Sequence, residues 1–141
     1  MSENKSFDLS SLAPVQSMAE EGVWIEFFGD SRLKIAQAQN PKHQAFLSNQ
    51  YKIHRRKIDL ENKAADDLSE EITLQGMAKF LLMDWENITI DGVQNTPYSP
   101  EIGVKAMIAV PVLRKEVEEQ SRRLQNFQEA ENVEDADNVK T

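Results

Sequence analysis

The spacing of apolar residues changes several times along the chain, and each change marks an element. From Gly22 to Ala38, Trp24 and Glu26 precede Gly29-Asp30, and Arg32 and Lys34 follow with Leu33 and Ile35 opposite them. This alternation fits two short strands around a turn, a β-hairpin over residues 22–38. Because Lys34 to Gln39 also suits helix, a loop ahead of a helix is the competing reading, and Phe27 and Phe28 belong to the core or to an interface. Asn40-Pro41 then supplies an N-cap and a proline at the first helical position. Leu47, Tyr51, His54 and Ile58 recur at helical spacing behind it, which predicts a helix over residues 41–59.

The next helix is expected over residues 67–88, with Asp67 and Glu70 as a capping-box-like pair. Leu74, Met77, Ala78, Leu81, Trp85 and Ile88 form its buried stripe, widened by Phe80, Leu82 and Met83. Apolar residues over so much of the circumference imply a central helix. Ser99-Pro100-Glu101 repeats the start signal, with an acid in the first turn where it complements the helix dipole, and predicts a helix over residues 100–110. Pro111 removes a backbone donor and pushes Val110 towards extended geometry, so residues 112–128 form a kinked continuation or a fourth helix. On it, Leu113, Val117, Gln120, Leu124 and Phe127 make a narrow seam, too short for a coiled coil but able to pack on a partner or on its own domain.

The resulting fold class is mainly α with a small N-terminal β-hairpin, an α+β domain of three to four helices. Residues 21–128 make one folded domain, preceded by a flexible leader over 1–20 and followed by an acidic, disordered tail over 129–141. A length of 141 residues with 40% hydrophobic content suits one core and not two. The segment from Asp84 to Glu101 reads as a helix-to-helix junction: Trp85 turns inward, Asp91-Gly92 supplies a turn, and residues 89–98 are an exposed loop open to recognition.

Charge and chemistry narrow the function. The chain has no cysteine, which removes disulfides, thiolate nucleophiles and sulfur-ligated zinc. The longest uncharged apolar run, AMIAVPVL, falls far short of the ~20 residues of a membrane span, and the N-terminus lacks a signal-like pattern, so a cytoplasmic protein with no membrane contact is expected. His43 and His54 are eleven residues apart, roughly 16 Å along one helix, and cannot share a metal there; His43 reads as a surface residue and His54 as half-buried on the stripe. No G-x-S-x-G, phosphate loop or Glu-x-x-His pair occurs, so no catalytic residue, metal ligand or cofactor is assigned and an enzyme is not expected. A net charge of -8 opposes a nucleic-acid role, whose one local opening is the basic run KIHRRK with Arg55, Arg56 and Lys57.

Read in order, GVWIEF, NPKHQ, HRRK, LLMDWENI with DGV after it, and PYSPE resemble the tail assembly chaperones of long-tailed bacteriophages, over residues 20–105. The resemblance implies a small, largely helical protein that keeps the tape measure protein soluble and helps tail tube protein polymerise around it. It also implies residence in the host cell cytoplasm and absence from the finished virion. Whether a frameshifted longer form exists is not written in protein sequence. Phe27-Phe28 stands where similar sequences often carry a Pro turn. A tape measure protein is a long, helix-prone chain with apolar stripes, so candidate contacts are Trp24, Phe27 and Phe28 on the hairpin and Leu113, Val117, Leu124 and Phe127 on the seam. Either surface could also serve self-association, and the alternative is that the two bury each other within the monomer. The runner-up function is a small acidic phage regulatory or nucleic-acid-binding protein acting through residues 52–57.

Overall fold

In the computed structural model, which describes residues 5–129, six α-helices surround a three-stranded antiparallel sheet. The mainly helical α+β class is as expected from the sequence. The hairpin forms from β1 (Val23–Glu26) and β2 (Arg32–Ile35), and the chain reverses through Gly29, whose φ of 59° is a left-handed conformation natural to glycine. In register, Ile25, Leu33 and Trp85 form one inward row, while Trp24, Lys34 and Asp84 form an outward one.

The third strand, β3 (Leu82–Glu86), corrects the helix expected over 67–88. That helix, α4, runs Lys63–Phe80, four residues earlier at its start, and its cap is Asn62, whose side chain accepts the Ala65 N–H at 2.9 Å. Glu70 has no capping task and pairs instead with Arg114. The unusually wide apolar stripe of the sequence was two patterns superposed: helical spacing up to Leu81, then a strand whose register shifts at Met83, so that Leu82 and Trp85 both face inward and Asp84 outward. The segment from Asp84 to Glu101 therefore joins a strand to a helix. Its Asp91-Gly92 turn has φ of 49° and 80°, the paired positive values of a tight hairpin turn, flanked by reciprocal Ile90–Val93 backbone bonds.

The helix expected over 41–59 breaks at His54 into α2 (Pro41–Ile53) and α3 (Arg55–Ile58). The starts at Asn40-Pro41 and Ser99-Pro100 fall where read: Asn40 Oδ1 accepts the His43 N–H at 3.1 Å, and Ser99 Oγ accepts the Ile102 N–H at 3.2 Å to open α5 (Pro100–Ala109). Pro111 opens α6 (Pro111–Ser121), which stops short of residue 128 because the chain turns at Arg122 into a short 3-10 helix, Leu124–Phe127. Asn126 Nδ2 holds that turn by donating to the Gln120 carbonyl at 2.9 Å.

The leader over 1–20 is also corrected, since Leu9–Leu12 form a 3-10 turn and Gln16–Glu21 form the helix α1. Both are tied to the C-terminal end of the domain. The Val15 N–H donates to the Phe127 carbonyl and Gln128 Nε2 to the Leu12 carbonyl, each at 2.7 Å. Residues 130–141, most of the expected tail, lie outside the described residues.

One five-residue connection organises these pieces. The Ala36, Gln37 and Ala38 N–H groups donate to Leu81, Ala19 and Ser121 carbonyls, each at 2.8 Å, so three successive donors satisfy the C-terminal ends of α4, α1 and α6. Buried Asn40 completes the set, its Nδ2 donating to Gln37 at 2.8 Å and to Phe80 at 3.2 Å. The core beneath joins Leu33, Ile35, Met77, Leu82, Trp85, Met107, Leu113 and Val117. Across it, Tyr98 stands edge-on to Trp85 at 4.8 Å and its hydroxyl donates to the Ala78 carbonyl, while Trp85 Nε1 donates to Thr96 at 2.8 Å.

Asn40→Ala should therefore cost about 2–4 kcal/mol in chemical denaturation, losing a cap and the side-chain donor to the Phe80 carbonyl, while the Gln37 carbonyl keeps the Asn40 backbone N–H. Asn40→Asp keeps the cap acceptor but should recover none of that, because its carboxylate faces the same carbonyls; stability equal to wild type would discount the double role. A methyl at Gly103 would come within 2.5 Å of the Tyr98 hydroxyl. Gly103→Ala is expected to destabilise by about 1–3 kcal/mol despite the ~1 kcal/mol gain in helix propensity, a balance that a thermal melt reads directly.

Candidate partner-binding surfaces

The outward face of the sheet is polar apart from Trp24, which is partly exposed and already engaged. The Arg32 guanidinium sits 4.9 Å from its ring centre and Lys34 Nζ 6.0 Å away. Arg32 also pairs with Glu86 across β2 and β3, a hydrogen bond that raises the Arg32 pKa and lowers that of Glu86. At the hairpin tip the two phenylalanines separate. Phe27 packs against the core, while Phe28 is 69% exposed and meets Phe27 edge-on at 4.7 Å.

The seam does not stay on the surface. Leu113, Val117 and Phe127 are buried within the monomer, leaving only Leu124 exposed, because α6 turns its apolar positions onto β2 and α5 and the chain then folds Phe127 back towards α1. As partner contacts, these three buried residues are withdrawn. They are buried within the monomer, but not by the hairpin aromatics as the alternative had it, since Trp24 and Phe28 stay exposed and β2, α5 and α1 cover the seam.

An apolar groove of about 590 Å³ lies elsewhere, between the loop after β3 and α5. Ile90, Val93, Ile102, Ala106 and Val110 line it, with Asp91 and Lys105 among the polar residues of its wall. Beyond it Ile108, Val110 and Val112 stand in solvent at the α5–α6 joint. Sequence reasoning placed recognition in the 89–98 loop but missed this helical wall. The available signal was AMIAVPVL, which carries apolar residues at more azimuths than a ten-residue helix buries on one side.

The basic run occupies a corner. The α2–α3 break gathers residues 52–57 around an open hollow of about 440 Å³, with Arg55, Arg56 and Lys57 exposed. Arg55 Nε is 3.7 Å from Asp59, an exposed pair of little strength.

The two histidines are placed unequally. His54 is half-buried, as read, but His43 is buried and not on the surface. Gln39, held at φ 62°, directs its N–H to His43 Nδ1 at 3.0 Å, so the imidazole is neutral with its proton on Nε2. Burial lowers its pKa. Its ring lines a cavity of about 190 Å³ shared with Tyr51, Thr73, Glu118 and Arg122. Among the described residues, no group of three or more His, Asp or Glu is arranged to hold a metal ion, and no helix is long and apolar enough to cross a membrane.

A family model described as YdaY prophage protein matches residues 38–138. The chain belongs to the YdaY prophage protein family. The match begins inside the connection that ties the helices together and takes in α2 to α6, β3, the groove and the basic corner. No curated protein and no solved structure matches the chain.

The neutral His43 has a consequence for stability. Its folded pKa lies below the unfolded value near 6.5, so the unfolded chain takes up the proton first and stability falls as pH drops from about 6.5 towards the folded pKa. Denaturation midpoints recorded from about pH 7 to about 5.5 should decline in wild type and decline less in His43→Gln; identical slopes in the two proteins would remove His43 as the cause.

Proposed function

We propose that this prophage protein is a tail assembly chaperone that binds the tape measure protein stoichiometrically, keeps it soluble and promotes tail tube polymerisation around it. The observation that carries the reading is the apolar surface left open by the fold, the groove between the 89–98 loop and α5 with Ile108, Val110 and Val112 beside it, on a chain of net charge -8. A protein that covers apolar stripes on a long helix-prone chain needs such a surface, and the charge keeps the resulting complexes dispersed. A helix laid in this groove would be read by its apolar face, with Phe28 and Leu124 as further exposed contacts.

Two further observations support it. Segments carrying the chaperone resemblance fall on structural joints: NPKHQ starts α2, LMDWE is β3, and PYSPE caps α5. The family is a prophage family, as the reading requires. On this view the protein acts in the host cell cytoplasm, has no catalytic step, takes the tail tube protein as its second partner, and is absent from the virion. A nucleic-acid role is favoured by one observation only, the exposed Arg55, Arg56 and Lys57.

Co-expression with the tape measure protein of the same prophage should convert that protein from insoluble to soluble, with several copies bound per chain. Val110→Glu or Phe28→Glu, each at an exposed position, should abolish the rescue while leaving the melting curve unchanged. Arg55→Ala with Arg56→Ala should weaken it only slightly, since exposed ion pairs contribute about 0–1 kcal/mol each. Insoluble tape measure protein beside well-folded wild type, or rescue lost only in the double arginine variant, would overturn the mechanism.

A further inference from the structure

The cavity between α2, α4 and the end of α6 has a lining whose hydrogen-bonding groups do not balance. Its carboxylate is engaged, since Glu118 already takes the Arg114 Nε–H at 3.1 Å. Two of its hydroxyls are spent as well, Thr73 Oγ1 donating to the Ser69 carbonyl at 3.0 Å and Ser121 Oγ to the Glu118 carbonyl at 3.1 Å. Three donors remain. Arg122 enters no ion pair among the described residues, the Tyr51 hydroxyl stands at the exposed rim, and the proton on His43 Nε2 has no hydrogen-bond partner among the described residues.

The histidine is the informative member. It is only 7% exposed, and its Nδ1 is committed to the Gln39 N–H at 3.0 Å. A sealed N–H without an acceptor is costly, and among the described residues no side-chain nitrogen or oxygen fully shut off from solvent lacks a partner, so Nε2 opens into the cavity that its ring lines. Gly76 makes room for it. A Cβ there would stand 3.3 Å from Nε2 and 3.4 Å from Leu47 Cδ2, and the bare backbone is kept within α4 although glycine weakens a helix.

Between these donors the wall is apolar, from Leu47, Met77 and Leu81. The volume of about 190 Å³ exceeds the roughly 150 Å³ that suffices for benzene, so a single ring or a short branched chain fits. An amine would find Glu118 already paired and would face Arg122, whereas a carboxylate can accept from the donors that remain.

We propose that this cavity binds a small monocarboxylic acid, its apolar body on Leu47, Met77 and Leu81 and its carboxylate accepting hydrogen bonds from His43 Nε2 and the Arg122 guanidinium. The imidazole donates while neutral, so Arg122 supplies the opposing charge. A ligand held here touches α2, α4 and α6 together, and its binding stabilises the folded chain by mass action. This inference does not rest on the chaperone reading.

The chain has two histidines, and His54 lies outside the cavity lining, so it serves as an internal reference. Sodium phenylacetate titrated into isotope-labelled full-length protein should shift the His43 Nε2 signal with a dissociation constant of about 1 mM or below, leave the His54 ring signals in place and raise the melting temperature. Phenylacetamide, neutral and of the same shape, should bind at least about tenfold more weakly. The same loss is expected for phenylacetate on Arg122→Gln, an exposed position, while Lys115→Gln, which removes an α6 cation outside the lining, should bind as wild type does. No His43 shift at about 10 mM phenylacetate overturns the proposal. So does equal affinity for the amide, unchanged affinity in Arg122→Gln, or an equal loss in both cation variants, which would mean diffuse attraction and not a site.

Discussion

Three adjacent backbone N–H groups, those of Ala36, Gln37 and Ala38, hold the domain together by each closing the end of a different helix. A helix C-terminus leaves carbonyls without partners, and burying such an end is costly unless a donor is brought to it. Here one extended connection brings three, and the Asn40 amide adds a fourth at Phe80 while its oxygen starts α2. The helices therefore need not find each other by apolar packing alone. Gln39 in the left-handed region is the local strain that this arrangement sustains, and its N–H is used on the His43 ring.

Around that connection the core divides its tasks. Trp85 and Tyr98 bring polar tips as well as ring area into the interior, and both tips are bonded to backbone carbonyls, fixing the chain after β3 against α4. Burial and the nearby Asp84 raise the Tyr98 pKa, so the hydroxyl remains a donor throughout the neutral range. Gly103 is required where α5 crosses the phenol, since no Cβ fits between them. The 89–98 loop is thus anchored at its C-terminal end by an aromatic pair, which gives the neighbouring groove one rigid wall and one formed by a tight hairpin turn.

Charge is arranged by region. The sheet's outer face and α6 hold their ion pairs internally, Arg32 with Glu86 and Arg114 with Glu70 and Glu118. Among the described residues the α2–α3 corner holds only the exposed Arg55–Asp59 pair, and the groove is largely apolar. A partner with an apolar stripe and a partner with negative charge would therefore meet different sides of the protein's chemistry.

Local stereochemistry was legible in the sequence. Asn40-Pro41, Ser99-Pro100, Pro111 and Asp91-Gly92 act through the φ values and hydrogen-bonding groups of the residues themselves, so helix starts and the turn could be read without knowing what surrounds them. The hairpin alternation was equally self-contained. The rest depended on neighbours distant in the chain. Leu82 to Glu86 is apolar enough for a helix until β2 offers it a ladder, and Leu113, Val117 and Phe127 look like an outward seam until β2, α5 and α1 cover them. His43 has an ordinary surface pattern, and only the approach of α4 at Gly76 and the strained Gln39 bury it. Sequence determined where the backbone turns and starts because those are properties of one or two residues. The tertiary structure alone decided which apolar faces remain open, because a face is exposed or buried according to what packs on it.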